Sequence, residues 1–132
     1  MRAAELTPGQ QLPGLSVEIT EEMIRRYADA SGDHNPLHLD AAAARAAGLD
    51  GVIAHGMLQF GLLSGAVTAW AGEASKVRRI GVRFAAMVRP GDTVSVTGTV
   101  AASEEGRTRI DASVVNQRGE AVLTRVRVEV DG

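Results

Sequence analysis

The spacing of apolar residues changes near residue 72. Between residues 57 and 70, Met57, Leu58, Phe60, Leu62, Leu63, Val67 and Trp70 point almost all round a 3.6-residue helix, which predicts a helix enclosed by the rest of the fold. From residue 77 onward the pattern becomes alternation. Val94, Val96 and Val100 are separated by Ser95, Thr97 and Thr99, and Val122, Val126, Val128 and Val130 alternate with Leu123, Arg125, Arg127 and Glu129. Alternation predicts strands with one buried face. Four are expected, over residues 77–88, 93–101, 107–115 and 121–130, with turns at 90–92 and 117–120.

The first part of the chain reads as short helices. Thr20 is placed to cap a helix opening on Glu21 and Glu22, with Met23, Ile24 and Tyr27 as its apolar stripe and its end near Ser31 and Gly32, since side-chain oxygens and acids both suit a helix start. Pro36 argues against a helix through Asp33 to His38 and biases Asn35 toward extended backbone, so that polar run is expected on an irregular loop. Asp40 suits the cap of an Ala-rich helix over residues 41–47 that Gly48 closes. Together these signals predict an α+β chain, an antiparallel sheet curled around one long buried helix. No repeat, low-complexity tract or Pro/Gly/Ser linker divides the sequence, so residues 1–132 are expected to form one domain.

Composition narrows the function. With 45% hydrophobic and 23% charged residues the chain is a globular protein. A net charge of -2 gives no broad attraction to nucleic acid or acidic lipid. The absence of cysteine removes disulfides, thiolate metal sites and Cys nucleophiles, and suits a cytoplasmic location. The first ten residues, with Arg2, Glu5 and Pro8, lack the apolar run of a signal peptide. Residues 57–71 are too few to span a bilayer.

The densest polar cluster is Ser31-Gly32-Asp33-His34-Asn35-Pro36-Leu37-His38. Asp33 and His38 on one loop can converge on a water, the imidazole moving a proton near neutral pH and the carboxylate orienting the water or sharing the transfer. Asn35 would fix the loop or the water. The plainer alternative is that Asp33 and Asn35 satisfy turn backbone and His38 packs. A metal site from His34, His38 and His55 is disfavoured, because Pro36 removes the helix that would put the first two on one face and the Glu of a zincin motif is missing.

The central helix begins at His55-Gly56, where unpartnered N–H groups form a ready oxyanion site and Gly56 lets a carbonyl approach closely. A glycine kept for tight packing would look the same. Ser64, two turns further on, reads by itself as a small packing residue. The Met57, Phe60, Leu63, Val67 and Trp70 set is core, or the lining of an acyl tunnel. Arg78, Arg79, Arg83 and Arg89 could meet the phosphates of a carrier, though a solvated role is favoured. Serine-hydrolase elbows, dinucleotide fingerprints and P-loops are absent, so no nucleotide cofactor is expected.

The run Tyr27 to His38, with its G-D-x-N-P-x-H core, followed by Ile53-Ala54-His55-Gly56-Met57, resembles the MaoC-like family of R-specific enoyl-CoA hydratases and (3R)-hydroxyacyl-ACP dehydratases. Gly48-Leu49-Asp50, Val67-Thr68-Ala69-Trp70 and Val82-Arg83-Phe84 look like the small dehydratase subunits of bacterial fatty-acid elongation. The resemblance implies a hot-dog fold. It implies Asp33 and His38 as a catalytic dyad holding water, Asn35 in support, and the Gly56 N–H polarising a thioester carbonyl. Ser64 matches a serine near the dyad of the short hydratases, where the dehydratase-like subunits can carry glycine. The implied reaction is reversible syn hydration of a trans-2-enoyl thioester, carried on CoA or acyl carrier protein, to the (3R)-hydroxyacyl product, with no metal or redox cofactor. A homodimer is expected first, and a heterodimer with a related hot-dog subunit is the alternative. A hot-dog thioesterase and a non-catalytic acyl-binding subunit are the rival functions.

Overall fold

Thr20 takes extended backbone and its side chain accepts from the Met23 N–H, starting α1 (Glu21–Ser31), which Gly32 closes at φ 78°. The computed structural model describes residues 6–132, so the opening residues 1–5 of the segment read for a targeting signal lie outside the described residues. Three further helices follow: α2 (Pro36–Leu39), α3 (Ala41–Ala46) and α4 (Gly56–Ala71). Asp40 caps α3 by accepting from the Ala42 and Ala43 N–H groups, and Gly48 stands beyond its end at φ 94°.

The loop expected over residues 33–38 is only half a loop. Pro36 occupies the first helical position of α2, where its missing N–H costs nothing, and the Asn35 side chain accepts from the Leu37 N–H as the cap. His38 therefore sits on a helical turn.

Five strands, β1 (Gln11–Glu18), β2 (Val77–Phe84), β3 (Thr93–Glu104), β4 (Arg107–Val115) and β5 (Ala121–Asp131), form one sheet in the order β1-β3-β4-β5-β2, every pairing antiparallel. The sheet has one strand more than the alternation predicts. β1 escapes the pattern because Pro13 and Gly14 interrupt it; as an edge strand it tolerates the proline, its register slips between Leu12 and Leu15, and a Cβ on Gly14 would lie 2.9 Å from the Val96 carbonyl oxygen. β2 ends at Phe84; Ala85 and Ala86 still donate to the Val122 and Ala121 carbonyls of β5, and the chain leaves the sheet beyond them.

β5 also departs from simple alternation. It carries one residue more than β4 between Leu123 and Val128, and slips likewise against β2. Arg125 adopts φ 50° there. The extra residue turns Leu123, read from sequence as outward, into a buried position paired with Val114.

α4 packs against β1, β2, β3 and β5 through Leu63, Val67 and Trp70, all buried. It is not enclosed on every side: Met57 is 52% exposed, and Gly61, Gly65 and Ala69 continue the same open stripe. Trp70 is the main anchor. Its Nε1–H donates to the Pro13 carbonyl at 2.7 Å, and its ring lies over Gly98, where a Cβ would come within 2.5 Å of it.

The segment leaving β2 is tied down by Asp92, which is 7% exposed. Its carboxylate accepts from the Arg89 N–H at 3.0 Å and the Gln117 amide at 2.9 Å, and Ile19 brackets the turn with bonds to Gly91 and Asp92. Burial alone would raise the Asp92 pKa, but these bonds and the charges of Arg118 and Arg89 hold it below the usual carboxylate range. A carboxyl depressed in the folded state contributes stability above its unfolded pKa of about 4, lost as pH falls through the folded value. Melting curves from pH 7 down to pH 2 should therefore show a steeper loss below about pH 4 in wild type than in Asp92→Asn. Parallel curves would mean that Asp92 is not the acid-sensitive tie.

Candidate active site

The polar run after α1 is held by its own side chains. Ser31 Oγ accepts from the Asp33 N–H at 3.1 Å, Asp33 Oδ1 accepts from the Asn35 N–H at 3.2 Å, and Asn35 Oδ1 starts α2. His38 follows within that turn. Its Nδ1 lies 2.7 Å from the Ile53 carbonyl oxygen, which can only accept, so the proton resides on Nδ1 and Nε2 presents a free lone pair. The Ile53 segment is fixed in turn, by Ile53 N–H to Leu37 O at 3.1 Å and Ala54 N–H to Val88 O at 2.7 Å.

His55 completes the cluster from below. It is 2% exposed, donates from Nε2 to the Asp33 carbonyl at 2.9 Å, and stacks on His38 with ring centroids 3.8 Å apart and planes inclined 24°. Tyr27 of α1 approaches it at 4.8 Å, tilted 57°. Its Nδ1 is buried without a partner among the described residues, an omission that costs about 1–3 kcal/mol. One donor atom from each of Asp33, His38 and His55 falls within 4.8 Å of the others. The stack does not suit a shared cation: ring planes so nearly parallel meet several ångström beyond the ~2.1 Å reach of a zinc–imidazole bond.

Among the described residues no side chain caps α4 at its His55 start, so the first amides of the helix remain available. Buried Gln59, with its amide nitrogen turned to the chain, donates to the Gly56 carbonyl at 3.1 Å and to that of His55. Gly56 lies close under Phe84: a Cβ there would come 3.0 Å from the ring and press on it. His38 stands between two spaces. On one side is a mostly apolar cavity of about 160 Å³ lined by Gly56, Gln59, Phe84, Met87 and Val122. On the other is a cleft of about 430 Å³ that gathers Arg25, Arg45 and Arg89 with Glu21 and Asp50.

The expected residues thus divide. Asp33 and His38 come together, with Gly56 beside His38; Asn35 acts on the backbone, as the α2 cap. Ser64 is half-buried on α4, about 12 Å along the axis from Gly56, and lines neither space. His34 turns outward to Asp29 at 3.1 Å, so the set His34, His38 and His55 does not form. Arg78 is engaged by Asp131 and Arg79 and Arg83 lie exposed on β2, while Arg89 pairs with Asp50 at 3.4 Å in the cleft. His55 as partner of the dyad, and Gln59, were missed. A carboxamide in a helix whose other polar residues are only Ser64 and Thr68 was the available signal.

The MaoC-like domain model matches residues 4–122. The chain belongs to the MaoC-like family. Among solved structures, this MaoC-like chain is similar to an unliganded R-hydratase of Pseudomonas aeruginosa, at 33% identity and TM-score 0.86 over 98% of this chain and 83% of that one. It is also similar to an (R)-hydratase of A. caviae involved in PHA biosynthesis, at 27% identity and TM-score 0.85 over 98% of both chains. These likenesses establish the hot-dog fold. Among curated relatives, it is 42% identical over 80 residues to a peroxisomal hydratase-dehydrogenase-epimerase of Neurospora crassa, covering 61% of this MaoC-like chain and 8% of that protein. It spans between 6% and 16% of the length of the first curated relatives it matches.

Proposed function

We propose that this MaoC-like chain catalyses reversible hydration of trans-2-enoyl thioesters to (3R)-3-hydroxyacyl thioesters. The observation that carries the proposal is the free Nε2 of His38, aimed by its Nδ1 bond to Ile53 and grouped with the Asp33 carboxylate beside the open start of α4. Asp33 and His38 hold a water. His38 Nε2 takes one of its protons as the oxygen bonds to C3 of the substrate. The C2–C3 π electrons move toward the thioester oxygen, whose enolate charge the Gly56 N–H meets. A proton returned from the dyad to C2 on the same face completes syn addition. The sum is redox-neutral and needs no electron acceptor.

The two spaces beside His38 differ in polarity as the two ends of such a substrate do. The apolar cavity takes the acyl group, and the arginine-lined cleft lies toward the charged CoA or carrier-protein arm; Arg45 has no ion-pair partner among the described residues. Met57, Phe84 and Met87 leave apolar surface near Gly56, which supports a homodimer as the working form. Among the described residues no helix is long and apolar enough to cross a membrane, and the lack of cysteine fits a cytoplasmic setting.

The test is loss of enoyl absorbance from crotonyl-CoA, with product configuration read by stereospecific dehydrogenases. Formation of the R product is expected. Release of free thiol would instead favour the thioesterase, and activity only in company with a second hot-dog chain would favour the heterodimer. Light scattering should give twice the chain mass; a monomeric active species would overturn the homodimer.

A further inference from the structure

The reaction as drawn leaves two buried polar side chains of the site unused, Gln59 and His55. Gln59 is accounted for by the carbonyls it bonds at the start of α4. His55 is not: an imidazole here leaves Nδ1 buried and, among the described residues, unpartnered, which packing alone would not select. We infer that His55 is a positioning residue for Asp33 and His38 together, an inference that rests on the hydratase assignment above.

Its two working parts are Nε2–H and its flat face. Nε2–H grips the Asp33 carbonyl at 2.9 Å, while Ser31 Oγ holds the Asp33 N–H at 3.1 Å, so the residue bearing the carboxylate is pinned at both backbone poles. The face supports His38 at 3.8 Å. The bond from His38 Nδ1 to Ile53 fixes rotation of that ring, and the stack fixes its tilt, so Nε2 keeps one direction. Tyr27 backs His55 from α1. Because His55 is also the residue that begins α4, it ties the dyad to the Gly56 amide through a single peptide link.

Two substitutions separate the parts. His55→Phe keeps a flat ring under His38 but gives up the bond to Asp33; His55→Gln keeps an N–H donor without the ring. With folding checked by circular dichroism and melting, each should lower kcat on crotonyl-CoA by on the order of 10²-fold and leave KM nearly unchanged, since neither part touches the acyl or carrier arm. In an Asp33→Asn background the His55→Phe loss should vanish, and in a His38→Ala background the His55→Gln loss should vanish, because orienting an absent group has no effect. A merely structural residue would lower the folded fraction and add its loss to that of Asp33→Asn or His38→Ala. Undiminished kcat in either folded variant, or additive losses, would overturn the inference; should His55→Phe not fold, His55→Gln decides. A wild-type protein inactive on crotonyl-CoA would defeat the hydratase assignment, and this inference with it. Active wild type with unimpaired variants would defeat this inference alone.

Discussion

His38→Ala is expected to lower turnover of crotonyl-CoA by roughly 10²–10⁴-fold, the range for loss of a positioned general base, with the circular dichroism spectrum intact. His38 is only partly buried, and its backbone bonds within α2 survive truncation, so the change removes chemistry more than structure. Asp33→Asn is the sharper companion. An asparagine oxygen can still accept from the Asn35 N–H as Asp33 Oδ1 does at 3.2 Å, so the loop keeps its shape while the negative charge is lost. A loss of similar order is expected. Near-normal rates in either variant would remove the dyad from the mechanism.

Trp70→Ala should have the largest effect on stability, about 3–5 kcal/mol, as for other buried Trp truncations, and a fall in melting temperature of roughly 10–20 °C. Trp70 is 3% exposed and joins three elements: its helix α4, edge strand β1 through the Pro13 carbonyl, and β3 through Gly98. Trp70→Phe should recover much of the loss yet leave the Pro13 oxygen without its donor. Gly98→Ala approaches the contact from the other side. A Cβ 2.5 Å from the indole forces a ring that Pro13 anchors to move, an overpacking cost of about 1–3 kcal/mol. A Trp70→Ala protein within 1 kcal/mol of wild type would show that β1 is held by other means.

What the sequence made legible follows from where the physics is local. Thr20, Asp40, Gly32 and Gly48 act on backbone within a few residues of themselves, and the helices they bound lie close to where expected. β4 matches its expected bounds, and β3 its expected start, but β3 runs three residues past its expected end, beyond the point where alternation breaks between Val100 and Ala102. β1 was lost because Pro13 and Gly14 are breakers unless a strand lies at an edge and approaches its neighbour closely, facts of assembly. The 33–38 run was misjudged because proline forbids helix interiors but suits helix starts. In the candidate site, the motif pointed to Asp33, His38 and Gly56. It could not place His55, because the acceptor of its Nε2–H is a backbone carbonyl 22 positions away, and a carbonyl carries no sequence signal.

Arg125, with its left-handed backbone in the middle of β5, has a consequence for the acyl cavity. Strand side chains alternate with a period of two, so one supernumerary residue exchanges inside for outside. β5 is thus two segments in opposite phase: downstream, Val128 and Val130 point to the core, and upstream Leu123 does. Val122 beside it is buried in the same core, because the register against β4 slips a second time between Val114 and Val115, and there it walls the cavity beside His38. Deleting one residue at this point would leave the downstream valines seated and the hydrogen-bonded ladder largely whole, yet turn Leu123 outward and withdraw Val122 from the pocket. The shape available to the acyl chain is set, in this sense, by the parity of a strand.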